Sequence, residues 1–126
     1  MSIIGIGIDI IKKSRIEKIK NLFKNKFAKK ILHKLEFKKY KFSKDKIKFL
    51  TKRFSVKEAF VKSLGIGIRN GISFKDLKIY NNNLGKPKIK VFKKTLKFLK
   101  KNNVIQIHIS ISHEKKYFCS MVILEN

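Results

Sequence analysis

Apolar and polar positions alternate strictly at the start of the chain. Over residues 3–11, Ile4, Ile6, Ile8 and Ile10 fall on one side and Gly5, Gly7 and Asp9 on the other. This period of two predicts a strand. The period then lengthens. Ser14 stands before "RIEKIKNLF", and with Glu17 three residues on it reads as a capping box that opens a helix. Basic helical segments continue through "KFAKKILHKLEFKKYKF". Ser43 is the expected cap of the next helix, with Lys46 where an acid is usual. In that helix Ile47, Leu50, Phe54, Val61 and Leu64 recur at helical spacing, and Gly65 predicts its end.

The second half returns to short periods. "SFKDLKIYNNNLGKPKIKVF" predicts two strands around a turn built from the Asn run, Gly85 and Pro87. "KKTLKFLKKN" predicts a short amphipathic helix with Leu96, Phe98 and Leu99 inward. "VIQIHISIS" alternates again: Ile105, Ile107, Ile109 and Ile111 on one face, Gln106, His108, Ser110 and Ser112 on the other. "HEKK", including His113, turns the chain back into "YFCSMVILE". Strand, helices, strands, helix, strands is the order of an α+β fold. Its expected form is a largely antiparallel sheet with helices packed on one side, in a single domain over residues 1–126.

Charge changes this picture less than its size suggests. Lys and Arg number 33 against 8 Asp and Glu, a formal charge of +25. Such a balance raises a basic nucleic-acid-binding module as an alternative. Nearly all of it is Lys, however, alongside abundant Ile, Asn and Phe, the signature of an AT-rich genome filling neutral surface sites. The three arginines, Arg15, Arg53 and Arg69, carry more information, because a planar fork has no lysine equivalent. The aromatics are mostly Phe at core spacing, which disfavours specific nucleic-acid recognition. The lone Cys119 reads as core and fits a reducing cytoplasm. No run reaches membrane-spanning length and none resembles a signal peptide, so the expectation is a cytosolic, soluble chain with no membrane partner.

Two acids stand out as inward-facing. Asp9 interrupts an apolar strand, and Glu58 shares the apolar stripe of its helix, with Lys62 one turn beyond. Inward carboxylates are paired or metal-bound. Oxygen-only ligation suits Mg²⁺, which completes its shell from waters and substrate phosphates. His33, His108 and His113 are too scattered for zinc, Ser110 and Ser112 lack a base–acid set, and no P-loop is present. A glycine in a strand marks the close approach of a backbone or a ligand; with a phosphorylated ligand in view, Gly5 and Gly7 read as clearing the strand face so that it can reach Asp9.

Taken together, "GIGIDI", "RFSVKEAFVKSLGIGI" and "HISISH", in this order and spacing, resemble the holo-(acyl carrier protein) synthases, the short bacterial branch of the 4′-phosphopantetheinyl transferases. The resemblance spans essentially the whole chain and includes "GKP" before the third strand. It implies Mg²⁺-dependent transfer of the phosphopantetheine arm of coenzyme A to a serine of an acidic apo-acyl carrier protein. Release of 3′,5′-ADP and a role in fatty acid biosynthesis go with it. It places the metal on Asp9 and Glu58 and the phosphate contact on Lys62, these three being the catalytic set. It places coenzyme A against Arg53, Lys62, Gly65, Gly67 and His108, and carrier-protein docking on Arg15, Lys26 and Lys30. The proton acceptor is left open between a metal-bound water and the two carboxylates. The family works as a homotrimer with active sites between subunits, which suits open Ile-rich strand faces. Ile66 departs from the threonine usual there.

Overall fold

The computed structural model describes residues 1–126. Strand β1 (Ile3–Lys12) leads into three short helices, α1 (Lys13–Phe23), α2 (Asn25–Ile31) and α3 (Lys34–Phe42). The long helix α4 (Lys46–Leu64) follows. A 3₁₀ turn (Phe74–Asp76) then leads to strands β2 (Leu77–Asn81) and β3 (Pro87–Val91), helix α5 (Lys93–Lys101), and strands β4 (Gln106–His113) and β5 (Tyr117–Glu125). The expected α+β architecture is present. All pairing is antiparallel, in a three-stranded sheet of order β1-β5-β4 and a separate β2-β3 hairpin.

Several predicted boundaries move for local reasons. Helix α1 starts at Lys13, inside the expected cap, and Ser14 and Glu17 form no capping box. The capping box lies instead at α3, where His33 Nδ1 accepts from the Leu35 N–H and Glu36 Oε1 from the His33 N–H. Ser43 ends α3; the cap of α4 is Asp45, whose carboxylate accepts from the Lys48 N–H at 3.0 Å. His113 belongs to β4 and stacks on Phe118, and the turn begins after it. Ile105 precedes β4 and is exposed, and Cys119 is half-buried. Gly65 does close α4, in the left-handed conformation at φ 76°.

Helix α4 is the centre of the molecule. The single apolar stripe read from its sequence is too narrow: Leu50, Phe54, Val56, Ala59, Phe60 and Val61 are all buried, and so are Thr51, Ser55, Lys57 and Ser63. Its N-terminal half joins Ile16, Ala28, Ile31, Tyr40 and Phe118 in one apolar cluster. Its C-terminal half packs with Leu77, Leu99, Ile109, Val122 and Leu124 in another. Polar groups on so buried a helix need partners, and Ser55 Oγ finds Ser120 Oγ on β5 at 2.8 Å. No helix is long and apolar enough to cross a membrane.

The contact between α4 and β1 explains the glycines of "GIGIDI". A Cβ on Gly7 would lie 1.8 Å from the carbonyl oxygen of Ala59, and one on Gly5 1.9 Å from that of Ser63. These glycines therefore do not clear a path for ligand, as the sequence suggested; the backbone of α4 fills the space. Two strand residues and four helix residues each advance roughly 6–7 Å, so the glycines step along β1 in time with the turns of α4. The opposite face of β1 carries Ile4, Ile6, Ile8 and Ile10, which remain 40–67% exposed with nothing packed over them.

Replacing Gly7 with Ala should therefore cost stability out of proportion to one methyl group, about 3 kcal/mol or more by overpacking against fixed backbone. Leu84→Ala, at an exposed turn position, should stay within about 0.5 kcal/mol of wild type. Equal chemical-denaturation midpoints for the two variants would contradict the close packing.

Candidate active site

Because α4 lies so close to β1, the side chains at its edge reach the strand. Asp9 follows the two glycines in the same series, across from Ser120, whose hydroxyl meets Ser55 of α4. One turn apart on α4, Glu58 and Lys62 flank it. The Lys62 ammonium donates to the Ile8 carbonyl oxygen at 3.1 Å and to Asp9 Oδ1 at 3.3 Å. Asp9 Oδ2 is buried and has no hydrogen-bond partner. The Glu58 carboxyl is pushed above the usual carboxylate range by burial and by the charge of Asp9, against the pull of Lys62 and Arg15. So Asp9, Glu58, Lys62 and Arg15 form one corner, although they are far apart in sequence.

Two acids in this corner do not make a closed metal cage. No three His, Cys, Asp or Glu side chains gather anywhere in the chain. Two partly buried carboxylates, one of them with an oxygen that has no hydrogen-bond partner, are instead an incomplete set of hard donors. Such a set suits an ion that takes the rest of its shell from water and phosphate. Gly65 and Gly67 follow just past the end of α4, beyond Lys62. Both have positive φ, 76° and 71°, and open space where a side chain would be. Ile66 between them turns inward onto the apolar core, which accounts for an apolar residue there.

The remaining expected site residues are spread over α1, α2, α4 and β4. Arg53 lies on α4 with its Nε 3.4 Å from Glu36 Oε2 and its guanidinium 3.5 Å over the Phe49 ring. His108 is on β4, with Nε2 3.1 Å from Glu125 Oε1. Register places His108 on the sheet face opposite Asp9. Ile109 and Ile111 pair with the inward Val122 and Ser120, so His108 faces away from α4. Arg15 is exposed on α1, held by the buried Ile16. Lys26 and Lys30 are exposed one turn apart on α2, which is anchored by Ala28 and Ile31.

Sequence reasoning missed the most deeply buried acid. Glu36 is 2% exposed, more enclosed than Asp9 or Glu58. It accepts from the Lys57 ammonium at 2.5 Å and from the backbone N–H of Ile79 and His33. Lys57 also donates to the carbonyls of Ile31 and Phe74, so one buried pair ties α2, α3, α4 and β2 together. Asp76 is likewise buried and accepts from Thr95. The available signal was Lys57 itself, a lysine inside the apolar run of α4.

Matching with known families and structures bears directly on this corner. Residues 5–122 match the model of the 4′-phosphopantetheinyl transferase superfamily. The chain belongs to that superfamily. A holo-[acyl-carrier-protein] synthase of Buchnera aphidicola subsp. Schizaphis graminum is 53% identical over 125 residues, 99% of each chain. That of Serratia proteamaculans is 37% identical over 99% of each. The crystal structure of the Neisseria meningitidis synthase superposes with a TM-score of 0.95 at 33% identity, covering 99% of this chain and 100% of that one. The Helicobacter pylori synthase, solved in complex with coenzyme A, superposes at 0.81 with 33% identity, over 95% and 99%. The enzyme class is thereby that of a 4′-phosphopantetheinyl transferase.

The buried Lys57–Glu36 pair predicts a pH effect on stability. Burial holds the Lys57 ammonium's pKa down at about 8, against an ordinary lysine value of 10.5. Between those values the unfolded chain binds more protons at this lysine than the folded chain does. Its contribution to stability therefore rises with pH across that window and falls away as pH drops through 8. Denaturation at about pH 7 and about pH 10 should show wild type gaining on Lys57→Met at the higher pH. A difference that stays flat or shrinks would contradict this.

Proposed function

We propose that this chain transfers the 4′-phosphopantetheine arm of coenzyme A to a serine of apo-acyl carrier protein, using Mg²⁺ at Asp9 and Glu58. One observation carries the reading. Two distant carboxylates meet beside a lysine, and one of them keeps a buried oxygen with no partner. When bound, a magnesium ion supplies positive charge to the pyrophosphate oxygens. Asp9 and Glu58 hold that position; Lys62 adds a cation for the phosphate oxygens and charge that develops on them. The serine oxygen of the acceptor bonds to the β-phosphorus, the bond from that phosphorus to the bridging oxygen breaks, and 3′,5′-ADP leaves with the electron pair on that oxygen; the hydroxyl proton passes to a water or a carboxylate at this corner. The modified carrier protein would serve fatty acid biosynthesis in the cytoplasm.

The positions of Asp9 and His108 support a shared site between subunits. They lie on opposite faces of one sheet, two strands apart and three residues out of row. That separates them by roughly 14 Å across the sheet. If both touch one coenzyme A, they come from different copies. The uncovered ridge of Ile4, Ile6, Ile8 and Ile10 offers an apolar face for those copies, in keeping with a homotrimer. Arg53 and His108 would serve the nucleotide end of the coenzyme, and Gly65 and Gly67 let backbone approach its phosphates. Arg15, at this corner, and Lys26 and Lys30, on α2, are exposed basic groups suited to steering an acidic protein. Against nucleic-acid binding, the large aromatics Phe54, Phe60 and Phe118 are buried.

The direct test is to incubate the chain with coenzyme A, Mg²⁺ and apo-acyl carrier protein and weigh the carrier protein. A Mg²⁺-dependent mass gain of one phosphopantetheine is expected. Asp9→Ala or Glu58→Ala should lower its rate by about a hundredfold or more while the fold survives. Arg15→Glu should raise the KM for carrier protein more than that for coenzyme A, with an effect that fades in salt. Full activity of either carboxylate variant would refute the metal assignment.

A further inference from the structure

The corner at Asp9 holds as many cations as carboxylates. Asp9 and Glu58 bring two negative charges; Lys62 is bonded to Asp9, and both Lys62 and Arg15 lie within Coulombic reach of Glu58. The formal sum is zero, in a chain whose net charge is already +25. A divalent ion approaching on its own meets a neutralised pair of ligands rather than two free carboxylates, and repulsion from the ammonium.

The two partners of the Lys62–Asp9 contact are unequally held. The Asp9 side chain is 13% exposed and sits on a strand pinned against α4, whereas that of Lys62 is 54% exposed. A lysine head group on a four-carbon stem swings at little cost. Its ammonium is held by one carbonyl and one carboxylate oxygen, so a third N–H remains to be filled. The mobile member is thus the lysine, and the fixed member is the carboxylate.

We propose that Lys62 is a displaceable internal counter-ion that makes divalent-cation binding at Asp9 and Glu58 depend on the phosphorylated substrate. The pyrophosphate draws the ammonium from Asp9, and the carboxylate so released takes the ion. Substrate and ion then bind with positive coupling, each raising the affinity for the other. This rests on the metal reading above and extends it from where the ion is held to when it is held.

Mn²⁺ serves as the probe, titrated into the full chain with free Mn²⁺ followed by electron paramagnetic resonance, with and without coenzyme A. Phosphates that ligate the ion would by themselves tighten binding, so the deciding measurement is Mn²⁺ alone. Lys62→Gln should bind Mn²⁺ about tenfold tighter than wild type, as expected for one charge removed at this range. Its further gain on adding coenzyme A should be smaller than wild type's. Lys62→Arg keeps the charge and should match the weak binding of wild type. Lys38→Gln, which removes an exposed charge on α3, should also leave it unchanged. If Lys62→Gln binds Mn²⁺ no tighter while Asp9→Asn abolishes binding, the counter-ion role is overturned and the metal site stands. If Asp9→Asn leaves Mn²⁺ binding intact, the metal site itself falls, and the proposal with it.

Discussion

Backbone-to-backbone contact between β1 and α4 is the constraint on which the molecule turns. Gly5 and Gly7 let a helix lie directly on a strand, with no side chain between them. Only at that distance do the side chains on the edge of α4 reach the strand, so that Lys62 bonds both Ile8 and Asp9. A residue with a Cβ at either glycine would lift the helix and part the two carboxylates. The same contact spends one face of β1 entirely on α4. Its isoleucines are left on the other face, uncovered.

Neighbouring residues of α4 show how exposure divides structure from chemistry. Lys57 faces inward to a carboxylate that is itself enclosed and fully bonded; the pair is a girder between helices. Glu58, the next residue, points to the open edge. There its charge meets another acid and two cations, and a buried oxygen of Asp9 goes unpaired. Removing a partner from the first arrangement leaves an uncompensated buried charge. The second arrangement can be reorganised by a ligand, since its cation is half in water.

Much of this was legible in the sequence, because period and punctuation are local. The alternation of β1, the hairpin at Asn82–Gly85, the amphipathic α5 and the stop at Gly65 all follow from neighbours within a few residues. The pairing of Asp9 with Glu58 was legible too, since both interrupt apolar patterns. What escaped depended on tertiary packing. Ser14 and Ser43 are good caps by type, yet the chain enters its helices elsewhere, at Lys13 and after Asp45. Glu36 lies in a stretch crowded with lysine, where nothing in the spacing distinguishes a buried acid from a surface one. The glycines of β1 were rightly marked as a close approach, but only the fold says that the approaching object is a helix. His108 could be placed on a polar strand face from its spacing, but its separation from Asp9 needs the strand order.

Whether ion and pyrophosphate meet at this β1–α4 corner is decided by a crystal structure of the chain grown with coenzyme A and Mg²⁺. One ion is expected, with an oxygen of Asp9 and one of Glu58 at about 2.1 Å. The Lys62 ammonium is expected to have turned from Asp9 to a phosphate oxygen. An ion held by the pyrophosphate without either carboxylate, or a pyrophosphate seated away from β1 and α4, would contradict this.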